Sequence, residues 1–227
     1  MKKIKVIIFD AYGTLFDVNS AAEKCKEKIG DKWESFANYW RTTQLEYTWL
    51  RSLMKRHKDF WRVTEDSLDK SLLAFKIDPN MRSELLNLYK ILNTFPEVKE
   101  VLKILKEKKY KISILSNGTP DLLDALVKSN DLEKMFDDIF SIEEVGIYKP
   151  DEKVYDMPIK KYKVEKNEVA FLSANTWDVS GAGNFGFNSI WVNRNKNIFD
   201  KLDYIPHNEI NNLNELLKQI KKNEQTY

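Results

Sequence analysis

The sequence predicts an α/β fold: a parallel sheet whose first strand is followed by a helical insertion. Three observations predict it. Short runs apolar on both faces recur at Ile4 to Phe9, Lys111 to Leu115, Val169 to Leu172 and Ser189 to Val192, as in strands buried inside a parallel sheet. Helical stretches alternate with the later runs. The residues from about Ser20 to Asn93 contain no convincing strand.

In chain order, the first run follows a basic start, MKKIK, and superficially resembles a signal peptide. Its apolar part, Val6 to Phe9, is too short for one and ends at Asp10, so it reads as a buried strand. The insertion reads as a set of helices rich in Trp33, Phe36, Tyr39, Trp40, Tyr47, Trp49, Phe60 and Trp61, with a turn at Asp78-Pro79-Asn80. These rings suit the core of a helical bundle, and some of them could face a small apolar pocket. Val98 to Lys108 places Val98, Val101, Leu102 and Leu105 on one helix face. Leu122 to Val127 and Leu213 to Ile220 read as further helices, and the polar tail from Lys221 to Tyr227 as frayed.

The chain of 227 residues is 42% hydrophobic and 32% charged, enough to bury a core. Its 37 basic and 35 acidic residues leave a formal charge of +2, which asks for no nucleic-acid or membrane partner. No run of about 18 apolar residues predicts a membrane span. The lone Cys25 forbids an intramolecular disulfide and suits a reducing, cytoplasmic compartment. His57 and His207 have no Cys or His at metal spacing, which argues against zinc and against a histidine triad.

Ligands of open parallel sheets bind beyond the carboxyl ends of the strands. The first strand ends in Asp10-Ala11-Tyr12-Gly13-Thr14, where Asp10 by itself suits a turn cap as well as a nucleophile. A later strand ends in Ser116-Asn117-Gly118-Thr119-Pro120, a hydroxyl, an amide and free N–H groups at a helix start, which together suit an anion. Lys149 precedes Pro150, which biases it to an extended backbone from which its ammonium could reach a carboxylate. Another strand ends in Ser173-Ala174-Asn175-Thr176-Trp177-Asp178.

Asp, then Ser/Asn, then Lys, then Asn/Asp: in this order the four ends resemble the haloacid dehalogenase superfamily, from Lys5 to about Arg194. The resemblance implies a doubly wound, Rossmann-like core with a helical cap inserted after the first strand. The core would comprise residues 1–16 and 95–227, and the cap residues 17–94. Phosphatases of this superfamily usually carry a second Asp two places after the nucleophile, where this chain has Tyr12. A phenol, with a pKa of about 10, does that acid–base work poorly at neutral pH. The last loop offers Asn175 and one carboxylate, Asp178, a poor set for magnesium. Both departures resemble the L-2-haloacid dehalogenase branch, which uses no metal or other cofactor. So do the run Tyr39 to Arg51, Phe60, a Thr64-Glu65-Asp66 turn and Tyr155.

The resemblance then implies the roles. Asp10 would displace halide from C2 of a small (S)-2-haloacid, forming an ester. Lys149 would keep Asp10 charged. Thr14 and Tyr12 would hold the first loop. Ser116 would bind the substrate carboxylate, and Arg41, Asn117 and Trp177 the departing halide. Asp178, helped by Asn175 and Lys149, would activate water against the ester. Ser173 and Tyr155 would orient Lys149 and the carboxylates. Leu45, Phe60 and Trp177 would shape the apolar pocket. The product is an (R)-2-hydroxyacid. A homodimer is compatible, since many relatives are dimers. The competing expectations are a phosphatase of the same superfamily and a catalytically silent binding protein.

Overall fold

The computed structural model describes residues 4–218. Its sheet has six parallel strands in the order β3-β2-β1-β4-β5-β6. These are β1 (Val6–Phe9), β2 (Lys111–Ser116), β3 (Asp138–Ser141), β4 (Val169–Ser173), β5 (Asn188–Val192) and β6 (Asn208–Ile210). This is the doubly wound order, with the switch between β1 and β4. Strand β1 is buried along its whole length, which explains its unbroken apolar run. Its last residue, Phe9, lies beside Ile114 on one side and Leu172 on the other. Asp10 therefore leaves the sheet between the ends of β2 and β4, its amide still bonded to the Leu172 carbonyl at 2.9 Å.

Two strands were not legible as apolar runs. Strand β3 is half-buried at its start, and β6 is three residues long with two exposed. Edge strands need only one apolar face, so their pattern is weaker.

Between β1 and the rest of the sheet lie α1 (Ser20–Lys24), α2 (Lys26–Ile29), α3 (Trp33–Leu53), α4 (Phe60–Phe75) and α5 (Arg82–Tyr89). The chain leaves and returns at one crossing: the Asp17 amide bonds the Asn93 carbonyl, and the Phe95 amide bonds the Leu15 carbonyl. Helices α3 and α4 pack together. Trp40 anchors the pair by donating its indole N–H to the Thr64 carbonyl at 3.2 Å. Phe36, Trp40 and Phe60 are core, as expected of bundle aromatics, while Trp33, Tyr39, Tyr47, Trp49 and Trp61 are partly exposed.

Residues 64–66 are helical, not a turn. Asp59 accepts from the Arg62 amide and starts α4 at Phe60. Thr64 then turns its hydroxyl back to the Phe60 carbonyl, one turn earlier, at 2.7 Å.

The sheet is flanked by α6 (Val98–Glu107), α7 (Pro120–Ser129), α8 (Glu152–Tyr162) and α9 (Thr176–Phe185). Helix α6 buries Val98, Val101, Leu102 and Leu105, as its spacing predicts. Helix α7 begins with Thr119 as N-cap and Pro120 in the first turn. A further helical stretch covers 214–218; the remainder of the expected Leu213 to Ile220 helix, and the tail, lie outside the described residues. One hydrophobic cluster runs from the sheet into the helices of the insertion. Among the described residues no helix is long and apolar enough to cross a membrane.

Candidate active site

The sheet brings the separate loops to one place. Lys149 donates to Asp10 Oδ1 at 3.1 Å and to Asp178 Oδ2 at 2.8 Å. Relative exposure is 5% for Asp10, 1% for Lys149 and 0% for Asp178, so this is a buried carboxylate–ammonium–carboxylate row. Burial works against the Lys149 charge, but Asp10 and Asp178 outweigh it and hold the ammonium above its ordinary value. Burial pushes the Asp178 carboxyl up to about 6; Lys149 pulls it down and Asp10 pushes it up by smaller amounts. The Lys149 ammonium also lies 5.0 Å from the centre of the Phe171 ring.

The other oxygen of Asp10 is fixed from two loops. Thr14 donates its hydroxyl to Oδ2 at 3.1 Å, and Asn175 donates its side-chain amide to the same atom at 2.9 Å. Thr14 is locked in turn by the Ala174 amide at 2.8 Å. Thr14 thus touches the carboxylate itself, a closer role than holding the loop. Ser173 accepts from the Asn175 amide at 3.1 Å, so it positions Asn175, whereas the expectation aimed it at Lys149 and the carboxylates. Its place at the very end of β4 sets that geometry, since its hydroxyl falls back over the loop that follows. The Tyr155 hydroxyl donates to Asp178 Oδ1 at 2.8 Å. Burial, with Asp178 adding to it, holds that phenol well above its ordinary value.

The Ser116-Asn117 loop lies at the end of β2. Ser116 is fully buried and accepts from the Gly118 amide at 3.1 Å. Asn117 accepts from the Lys149 backbone amide at 3.1 Å, tying the second loop to the third. Gly118 has a packing reason: a Cβ there would meet the Tyr12 ring at 2.9 Å. Tyr12 is buried, stacked on Tyr89 at 5.6 Å and tilted against Phe60 at 5.2 Å, and its hydroxyl has no partner among the described residues. Burial, reinforced by Tyr89, holds that phenol well above its ordinary value, so it stays protonated.

The helices supply the remaining wall. Arg41 on α3 reaches the Tyr12 carbonyl at 3.4 Å and Gln44 Oε1 at 2.8 Å. Leu45 lies one turn beyond Arg41, and Trp49 one turn beyond that, on the same face. Trp49 meets Trp177 edge-on, with ring centres 5.4 Å apart. Trp177 and Asn175 also line an open cleft of about 620 Å³. Sequence reasoning assigned no role to Gln44 or Trp49. Their spacing from Arg41 along one helix face was the available signal. Tyr89 gave no such signal.

A second tie fixes Lys149. Its neighbour Tyr148 donates its hydroxyl to the Lys58 carbonyl at 2.5 Å and its amide to Ser52 at 3.3 Å. Glu143 receives both the Phe60 amide at 3.1 Å and the His57 ring at 2.9 Å. Both contacts join the α3–α4 connection to the loop that carries the lysine.

Known proteins are similar to this chain over nearly all of its length. A family profile for haloacid dehalogenase-like hydrolases matches residues 4–186. The (S)-2-haloacid dehalogenase 4A of Burkholderia cepacia is 37% identical, covering 97% of this chain and 96% of that protein. The (S)-2-haloacid dehalogenase of Pseudomonas sp. (strain YL) is 40% identical, covering 94% of this chain and 93% of that protein. The crystal structure of the L-2-haloacid dehalogenase from Xanthobacter autotrophicus, with chloropropionic acid covalently bound, superposes with a TM-score of 0.89 at 32% identity, covering 96% of this chain and 98% of that one. With a profile spanning most of its length and relatives matched nearly end to end, the chain belongs to the haloacid dehalogenase-like hydrolase family.

Proposed function

We propose that this hydrolase converts small (S)-2-haloacids to (R)-2-hydroxyacids through an ester on Asp10. One observation carries the reading: the Asp10 carboxylate is held by Lys149, Thr14 and Asn175, while the residue two places on is the buried phenol of Tyr12. Such a site has a positioned nucleophile and, at that place, no acid for an alcohol leaving group. Halide leaves without a proton. Oδ2 carries two donors and Oδ1 one, so Oδ1 keeps the freer lone pair for attack on C2. The displacement inverts C2 and expels halide. Burial strips water from the carboxylate and makes it a better nucleophile.

Arg41 takes up the departing halide, with Asn117 and Trp177 beside it. Ser116 binds the substrate carboxylate. Leu45, Phe60 and Trp177 shape the wall around the C2 substituent. In the second step water attacks the ester carbonyl of Asp10 and Asp178 takes its proton. Lys149 and Asn175 donate toward the ester oxygens, where negative charge builds up. Ser173 and Tyr155 hold Asn175 and Asp178 in place.

No cofactor is required by this chemistry. The ammonium of Lys149 already joins the two carboxylates, and an amide donor faces Asp10 Oδ2 where a bridging metal would need a lone pair. We take residues 17–94 as a cap over a core of 1–16 and 95–227, on the strength of the crossing at Asp17 and Asn93. Exposed Leu50, Leu53 and Met54 at the end of α3 favour a homodimer through the cap. The buried free Cys25 favours a cytoplasmic home.

A single turnover in ¹⁸O water, with enzyme in excess over L-2-chloropropionate, tests the core of this. The label should enter the Asp10 side chain and little should reach the product. Label entering the product directly would mean attack by water and end the ester mechanism. Magnesium-dependent hydrolysis of p-nitrophenyl phosphate, without halide release from any haloacid, would move the assignment to a phosphatase. Neither halide nor phosphate release would leave a binding protein.

A further inference from the structure

Arg41 differs from four of the other arginines of this fold. Arg51, Arg62, Arg82 and Arg194 each pair with a carboxylate. Arg41 meets Gln44 Oε1 at 2.8 Å and the Tyr12 carbonyl at 3.4 Å, both neutral, and among the described residues no carboxylate pairs with it. Gln44 is buried, and every polar atom of its side chain is committed. Its amide nitrogen donates to the Thr64 hydroxyl at 2.8 Å and to the Tyr89 hydroxyl at 3.0 Å.

The direction of that amide is forced. A hydroxyl has one proton to give. Thr64 gives its own to the Phe60 carbonyl at 2.7 Å, so toward Gln44 it can only accept. The nitrogen of Gln44 must therefore face Thr64, and its oxygen must face Arg41. The chain of bonds runs from α4 through α3 to the guanidinium, with Tyr89 of α5 closing the other side.

We propose that Gln44 is a positioning residue that aims Arg41 into the site while leaving its charge uncompensated for an anion. This rests on the reading of Arg41 as the group that receives halide. The physical point is the choice of amide over acid. Glutamate at the same place would pair with Arg41 through a stronger, charge-assisted bond, and its second oxygen would take the proton that Thr64 now gives to the Phe60 carbonyl. It would also supply the countercharge that the halide must otherwise provide. A neutral acceptor orients the cation and does not compete for it.

Gln44→Glu, Gln44→Leu, Thr64→Val and Arg41→Ala test this together. Each is assayed for kcat, KM, the inhibition constant of bromide, and Tm. Gln44→Glu should weaken bromide inhibition and lower kcat by about tenfold to a hundredfold, the range spanned by one hydrogen bond to a charged group, with the bromide constant moving further than in Gln44→Leu even where the two lose the same Tm. Gln44→Leu should lower kcat with a smaller change in bromide inhibition, because aim is lost but charge stays free. Thr64→Val should move kcat in the same direction by less, since it frees the amide to turn. A Gln44→Glu enzyme with the parent kcat and bromide constant overturns the proposal. So does a set in which activity merely follows Tm. If Arg41→Ala itself keeps the parent kcat and bromide constant, the reading of Arg41 fails, and the proposal with it. If Arg41→Ala loses both while Gln44→Glu loses neither, the proposal alone fails.

Discussion

Two sets of side chains meet at Asp10, and they are organised differently. The strand ends bring charge: Lys149 lies between Asp10 and Asp178, with Thr14, Asn175 and Tyr155 satisfying the remaining carboxylate oxygens. The helices bring rings and amides: Tyr89 and Phe60 against Tyr12, Trp49 against Trp177, and Arg41 held by Gln44. Groups on strand ends are placed by the register of the sheet, so a short loop suffices to aim them. A cation on a long helix has no such register with the sheet, so neighbours on two other helices must aim it. In the proposed reaction the first set fixes which bond is attacked, and the second fixes what shape and charge of substrate can reach it.

The comparison breaks most severely at Lys149. Lys149→Met leaves two buried carboxylates facing each other, and removing one partner of a buried pair costs about 3–5 kcal/mol. Turnover should vanish, and urea unfolding at pH 7.5 should report that loss. The loss should shrink at pH 5. Asp178, already raised to about 6, binds a proton more readily folded than unfolded, so the folded state gains stability as pH falls through that value. Equal destabilisation at both pH values would show that the ammonium acts by packing rather than by charge.

The second expected effect is a pH dependence. Asp178 must be ionised to accept a proton from water, so ester hydrolysis should fall about tenfold per pH unit below about 6 and level off above it. Single-turnover decay of the ester measures this directly. A flat profile from pH 5 to 8 would remove Asp178 from that role.

The helical set is tested by size rather than charge. Trp49→Ala removes the ring that meets Trp177, so kcat/KM for 2-chlorobutyrate relative to chloroacetate should rise about tenfold, the scale of one methylene in an apolar pocket. An unchanged ratio would place Trp49 outside the substrate wall. The smallest effect belongs to Tyr155. Its hydrogen bond lowers the Asp178 carboxyl, so Tyr155→Phe should move the inflection upward by about one unit. A downward shift would contradict the bonding.

The legible part of the site was its charged row. Asp10, Thr14, Lys149, Asn175 and Asp178 each follow a strand or short loop, and parallel strands end on one side of the sheet, so their convergence follows from chain order. Strands β3 and β6 escaped notice because edge strands need little apolar patterning. The stretch at Thr64 looked like a turn because Thr, Glu and Asp are also turn formers. The Asp59 cap starts the helix there, and its buried face of Phe60, Val63, Thr64, Ser67 and Leu68 carries it on. That Ser173 accepts from the Asn175 amide is not written in the sequence, since a residue type does not say which way a hydroxyl points.

The sequence by itself determined the four inner strands of the sheet, the helical insertion, the place of Asp10 at a strand end and the phenol of Tyr12 two places on. Those are local facts: apolar runs, turn residues and one residue's identity at one place. Tertiary structure alone decided that Lys149 bridges two carboxylates, that Thr14 touches Asp10, and that Gln44 faces Arg41 with its oxygen. Each of these depends on where a proton or lone pair lies relative to a group far away in the chain. Hydrogen-bond direction is set by what the neighbouring donors have already given away, and spacing along a chain does not record it.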